Sequence, residues 1–159
     1  MKVIEAIKEA DNLKPNMYGT EVKIKWLSRL DQRIFQTIIR NYILSDEEAE
    51  RFLPDGETLP EPPDLTGFRA LDLPFPPPPD MRPHLVFNGY TENDQDAELI
   101  VKEPYDEMYV HWLEAQIDWN NREIEGFNSA NAMFESVYQN FRNAFNRSHQ
   151  ALGTAKRYF

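Results

Sequence analysis

Four side chains between Glu107 and Asp118 have the types and the spacing to do chemistry. Glu107, His111, Glu114 and Asp118 follow one another at intervals of four, three and four residues. A helix would carry all of them on one face. Carboxylates and an imidazole so arranged could ligate iron, manganese or zinc, as in metal sites built between the helices of a bundle. Such a site needs matching donors from a facing helix, usually a second Glu-x-x-His. The two other histidines are His84, beside a proline-rich stretch, and His149, near the C-terminal end, and neither sits in such a motif. The same pattern describes the solvated side of an amphipathic helix, and that is the reading the sequence supports.

Other candidate sites fail on composition or register. Asp94, Asp96 and Glu98 alternate as at the start of a calcium loop, but the glycine at the sixth position and the closing glutamate are missing. A solvated acidic loop is expected there. The chain has no cysteine, which removes disulfides, zinc–thiolate sites and thiol nucleophiles together. No Gly-x-Ser-x-Gly marks a serine nucleophile. The 6 glycines form no phosphate-cradling loop. No catalytic, cofactor-binding or metal-binding residue is assigned, no cofactor is expected, and the chain is not expected to be an enzyme.

The elements carrying these residues are helices. At 159 residues, with 41% hydrophobic and 13% aromatic content, the chain suits one folded domain with a sizeable core. The expected class is mainly α: a bundle or hairpin of long helices, an extended proline-rich arm and a short β-hairpin. Residues 1–53 hold N-terminal helices. Val3, Ile4 and Ile7 share one face, and Pro15 breaks the first helix. Thr20 is expected to cap the second, whose stripe runs through Trp26, Leu27, Leu30, Ile34, Phe35, Ile38, Ile39 and Tyr42. Ser45 and Glu48 form a capping box for a short helix that ends before Pro54.

Residues 54–83 hold ten of the 12 prolines, interleaved with Leu65, Phe68, Leu71, Leu73 and Phe75. They read as an extended arm packed along a surface of this chain or a neighbour, since a bare spacer has little use for those side chains. Residues 85–87 and 99–101 are β-prone, and Asn88-Gly89 between them is turn chemistry. Residues 84–152 complete the helical domain. Pro104 is expected in the first turn of a helix to about Asn121, and a bend or hairpin near residues 120–126 leads into a second helix from Phe127 to about Ser148.

The surface features suit binding better than catalysis. Tyr105, Met108, Trp112 and Trp119 mark one face of the first C-terminal helix and Val110, Leu113, Ile117 and Ile124 another, so both sides seek burial. Asn120, Asn121, Asn128, Asn131, Asn140, Asn143 and Asn146 supply hydrogen-bonding edges between subunits or a wet helix face. Residues 153–159 end in Lys156, Arg157, Tyr158 and Phe159, either a docking peptide or a frayed terminus. The expected partner contacts are these four residues with Phe68, Phe75, Tyr105, Trp112 and Trp119. The net charge is −10 at pH 7, so a polyanion would be repelled on average. No run approaches the ~20 apolar residues of a membrane span, and no secretory signal opens the chain. An acidic protein made in a cytoplasm, without membrane contact, is expected.

Two stretches are familiar. The pieces at 103–109 (Glu-Pro-Tyr-Asp-Glu-Met-Tyr) and 112–118 (Trp-Leu-Glu-Ala-Gln-Ile-Asp), then Phe127-Asn128, Met133-Phe134, Tyr138, Phe141 and residues 146–149, resemble a family of small proteins from the structural-gene clusters of tailed bacteriophages and prophages. Leu13-Lys14-Pro15-Asn16, Lys25-Trp26-Leu27-Ser28, Leu30-Asp31 and Arg33-Ile34 extend the resemblance. It spans roughly residues 1–44 and 97–152, and residues 45–83 depart from it. It implies a virion head–tail connector, or adaptor, at the head–tail junction. Such a protein is made in the host bacterial cytoplasm and forms a homo-oligomeric ring, commonly a dodecamer. The ring would sit between the portal protein and the neck, stopper or tail proteins, with genomic DNA passing through as cargo. The alternatives are another neck or tail-completion part, or a cytoplasmic interaction module using its proline-rich arm.

Overall fold

The computed structural model describes residues 1–59 and 84–152. The greater part of the proline-rich arm, with Phe68 and Phe75, and the tail, with Lys156, Arg157, Tyr158 and Phe159, lie outside the described residues. The chain divides into two compact units, one of Met1–Ile43 with Asn88–Phe159 and one of Leu44–Phe87.

The larger unit is helical, as expected. It contains α1 (Val3–Leu13), α2 (Thr20–Thr37) and a single 3-10 turn at Ile39–Asn41. In the smaller unit lies α3 (Asp46–Glu50), and the larger unit resumes with α4 (Met108–Asn121) and α5 (Ile124–Ser148). α1 buries Val3, Ala6, Ile7 and Ala10, spaced for one face. Lys14 ends it before Pro15, and α2 is capped by Gly19 rather than Thr20, which is the first helical residue. Leu27, Leu30, Ile34, Phe35, Ile38 and Ile39 are all buried, so the predicted stripe is the core stripe.

α4 and α5 form a hairpin. Arg122 takes the left-handed conformation (φ 62°), and its N–H and that of Glu123 close back on Trp119 and Asp118 carbonyls. Aromatic pairs then zip the two helices antiparallel. Trp119 meets Phe127 at 5.1 Å, Trp112 meets Phe134 at 5.1 Å, and Tyr105 meets Phe141 at 6.1 Å. Each step is seven residues down one arm and seven up the other, which keeps the seam in phase over two turns per step. Within the 120–126 stretch the chain thus makes a tight turn at Arg122 and Glu123, the sharper of the two expected alternatives.

The start of α4 differs from expectation. Pro104 follows a cis peptide bond and lies before the helix, whose first residue is Met108. Successive tight turns, Tyr105 N–H to the Lys102 carbonyl and Met108 N–H to that of Tyr105, occupy the stretch instead.

No β-hairpin forms at residues 85–101, and among the described residues the only β pairings are two isolated bridges, Lys2 with Glu98 and Tyr42 with Ala151. The reason is visible in the hydrogen bonds. Leu99 N–H goes to the Met1 carbonyl, Ile100 N–H to the Asp31 carboxylate at 3.1 Å, and Val101 N–H to the Tyr109 hydroxyl at 2.9 Å. Each buried N–H finds a different partner, so a ladder is unnecessary.

Asp31 stands at the centre of this arrangement with no solvent exposure. Its Oδ2 accepts from the Tyr90 hydroxyl (2.5 Å) and Ile100 N–H, and its Oδ1 accepts from the Tyr109 hydroxyl (2.5 Å). α2, α4 and the segment between Tyr90 and Val101 meet at one carboxylate.

In the smaller unit, Ser45 and Glu48 make the predicted reciprocal cap at 3.4 and 3.0 Å. Phe52 is buried, its ring edge-on to Phe87 at 6.2 Å, and its carbonyl accepts from Val86 N–H at 2.8 Å.

Burial, and then the negative charge of Asp31, push the Tyr109 phenol well above its ordinary value near 10. The folded state therefore holds that proton more tightly than the unfolded chain. Its contribution is fully present below about pH 10 and is lost as pH rises toward the folded value. Tyr109→Phe should be less stable than the parent at about pH 8, with a gap that narrows toward about pH 11 in urea titrations. A constant gap would contradict the assignment.

Candidate functional site

The four chemically suggestive residues do not act as a set. Glu107 is exposed just ahead of α4, and His111 Nδ1 lies 3.1 Å from Glu114 Oε2. Asp118 is 1% exposed and pairs with the Lys14 ammonium, which also lies 3.7 Å from Glu123. The expected solvated face therefore fails at Asp118, because the chain between α1 and α2 crosses it and brings a cation. Among the described residues no three His, Asp or Glu side chains converge as metal ligands.

The acidic loop is likewise committed. Thr91 N–H and hydroxyl both donate to Asp94, at 2.7 and 2.6 Å, and hold its carboxyl below the usual range. Asp96 lies 3.3 Å from the Lys2 ammonium.

The Lys14–Asp118 pair locks one end of the larger unit. Gly126, in the first turn of α5, packs directly on it, for a Cβ there would lie 2.5 Å from Asp118 Oδ2 and 3.2 Å from Lys14 Nζ. Glycine is required by that close approach. Asn16 holds the α1–α2 connection by donating to Asp11 (2.7 Å) and to the Lys14 carbonyl (2.9 Å), and Asp11 also receives the buried Lys23 ammonium at 2.5 Å. Tyr18 donates to Asn121 at 2.9 Å and sets its ring edge-on to Trp26.

Around this polar lock the surface is oily. Leu13 and Trp119 are each 62% exposed, Ile124 is 69% exposed and Met17 is fully exposed. Each adjoins a residue of the lock in sequence: Lys14, Asp118, Glu123 and Tyr18. Single exposed apolar residues are ordinary, and these four are notable for flanking the lock residues in sequence. Burying each completely would stabilise a complex by roughly 1.5–3 kcal/mol before the costs of association.

The expected contact residues divide accordingly. Trp119 belongs to this tip. Trp112 is half-buried, its indole N–H donating to the Trp26 carbonyl at 3.2 Å, and Tyr105 is half-buried against Phe141. Of the asparagines, Asn121 receives Tyr18 and Asn120 bonds back to the Gln116 carbonyl at 2.7 Å, while the others along α5 are exposed except the half-buried Asn131. Leu13 and Met17 escaped sequence reasoning. Their signal was two apolar residues flanking a helix-breaking proline, where nothing local could bury them.

A cleft of about 340 Å³ lies between Glu21, Ile24, Lys25 and residues 90–93. Comparison with family models, with curated proteins and with solved structures gives no match. Among the described residues, no helix is long and apolar enough to cross a membrane.

The lock is testable apart from the oily tip around it. Lys14→Met leaves Asp118 buried beside an apolar chain, and stability to urea should fall by about 3 kcal/mol. The neighbouring Leu13→Ser should stay within about 0.5 kcal/mol of the parent.

Proposed function

We propose that this chain is a non-enzymatic assembly protein of a tailed-phage particle, a connector at the head–tail junction that binds through the tip of its α4–α5 hairpin. The tip carries the reading. It is apolar and exposed, yet fixed by a buried ion pair and an aromatic seam, which suits a preformed docking surface. The side chains that could do chemistry are engaged with one another: His111 with Glu114, Asp118 with Lys14, Asp31 with Tyr90 and Tyr109.

The resemblance of residues 1–44 and 97–152 to phage connector-type proteins supplies the setting. In that setting the partners are sister copies in a ring, the portal protein and neck or tail proteins. DNA is cargo only, and a net charge of −10 favours a channel wall along which DNA slides without sticking.

Purified protein mixed with the portal ring from the same gene cluster should form a ring on it, visible by negative-stain electron microscopy. The double variant Met17→Ser/Ile124→Ser, at two exposed positions outside the aromatic seam, should retain the parental melting curve and lose association more than about tenfold. Parental protein that ignores the portal, is missing from particles and stays monomeric would end this reading.

A further inference from the structure

The apolar tip of the larger unit and the sequence Lys156-Arg157-Tyr158-Phe159 are chemically complementary. We infer that the apolar tip of one copy receives the basic-aromatic segment Lys156, Arg157, Tyr158 and Phe159 of a second copy, joining copies head to tail. This deepens the assembly reading above and rests on it.

Where the segment starts is fixed. Leu152 N–H donates to the Asn41 carbonyl and Ile43 N–H to the Gln150 carbonyl, both at 2.8 Å, and the Tyr42 ring packs edge-on to Phe145 at 5.5 Å. The chain after α5 is thereby tied to the 3-10 turn following α2. The tip lies at the opposite ends of both helices. From Phe145 back to Ile124, α5 spans about 30 Å at ~1.5 Å per residue. From Leu152 to Phe159 is seven residues, which reach at most about 24 Å fully extended. To touch its own tip the segment would have to run fully stretched along the unit, at a high cost in chain entropy, whereas a neighbour's tip carries no such limit.

The chemistry of the two surfaces matches. The tip offers the exposed indole of Trp119 beside Phe127, with Leu13, Met17 and Ile124. Tyr and Phe fit that surface as rigid anchors, and an Arg guanidinium stacks on an indole face. Glu125 and Glu123, the latter 3.7 Å from the Lys14 ammonium, are exposed around the tip together with Arg122. Two cations preceding two aromatics answer both its oil and its acid. A head-to-tail contact of this kind is heterologous, so it propagates and closes into a ring when the rotation allows.

Two variants test it in the full chain. Trp119→Ser/Ile124→Ser spoils the tip and keeps the segment, while Tyr158→Ser/Phe159→Ser does the reverse. In analytical ultracentrifugation each should remain monomeric where the parent assembles, and a mixture should stop at a one-to-one pair. If the parent assembles and the mixture does not pair, this inference falls and the assembly reading stands. If the segment variant assembles as the parent does, the contact lies elsewhere and the inference is overturned. A parent monomeric alone and with the portal ends both. The absence of native cysteine permits a second measurement that leaves the tip side chains intact. Asn120→Cys and Ala155→Cys protomers, mixed and mildly oxidised, should cross-link to each other. Cross-links joining 120 to 120, or formed within one chain carrying both changes, would overturn the proposal.

Discussion

A carboxylate withdrawn completely from water organises this fold. Desolvating an ionised aspartate costs several kcal/mol unless donors replace the lost solvent. Asp31 receives three from three places: Tyr90, the backbone at Ile100, and Tyr109 on α4. Tyr109 in turn accepts from Val101. Removing any one element leaves a buried charge or a buried N–H unsatisfied, so a core of this kind permits few alternative packings. Residues 99–101 can therefore cross the interior as irregular, bent chain without a sheet.

The same logic recurs at the hairpin end, with charges of opposite sign. Lys14 bridges from the α1–α2 connection to Asp118 and toward Glu123, and Gly126 leaves room for it. Asp31 fixes α4 against α2 near its start, Lys14 fixes it near its end, and the aromatic seam holds α5 along its length. The hairpin is thus tied to the rest of the larger unit at both ends and along its length. An exposed indole on a stiff support loses little entropy on binding, which separates a docking surface from a frayed oily terminus.

Much of this was legible in sequence because helical periodicity reports burial directly. The α2 stripe, the α1 face and the Ser45–Glu48 cap followed from spacing, and the bend or hairpin expected at residues 120–126 followed from its turn residues and from the length of an unbroken rod. The misses share one physical cause. Asp31, Lys23 and Asp118 occupy positions where a helical wheel expects either oil or solvent, and each is buried because a residue distant in sequence supplies its partner. Lys14 lies 104 residues from Asp118 and Tyr109 lies 78 from Asp31, separations that no local pattern encodes. The β-prone run at 99–101 misled for the same reason, since its hydrogen-bond partners are side chains of other elements. Leu13 and Met17 read as loop residues, and only their placement beside the lock makes them part of a surface.

The proposed self-assembly of so acidic a chain poses a physical problem, which the arrangement of its surfaces would answer. At a net charge of −10 per copy approaching copies repel, and screening at physiological salt confines that repulsion to about 8 Å. Contact must then come from interactions of shorter range than the repulsion: desolvated apolar area, and cations placed against exposed carboxylates. The tip concentrates oil and acid at one end of a stiff hairpin, while the sequence holds Lys156 and Arg157 beside two aromatics at the other end of the chain. Concentrating attraction at two small, unlike patches leaves the remaining acidic surface free to repel. In the proposed assembly, copies would then join in one orientation, with indiscriminate aggregation suppressed.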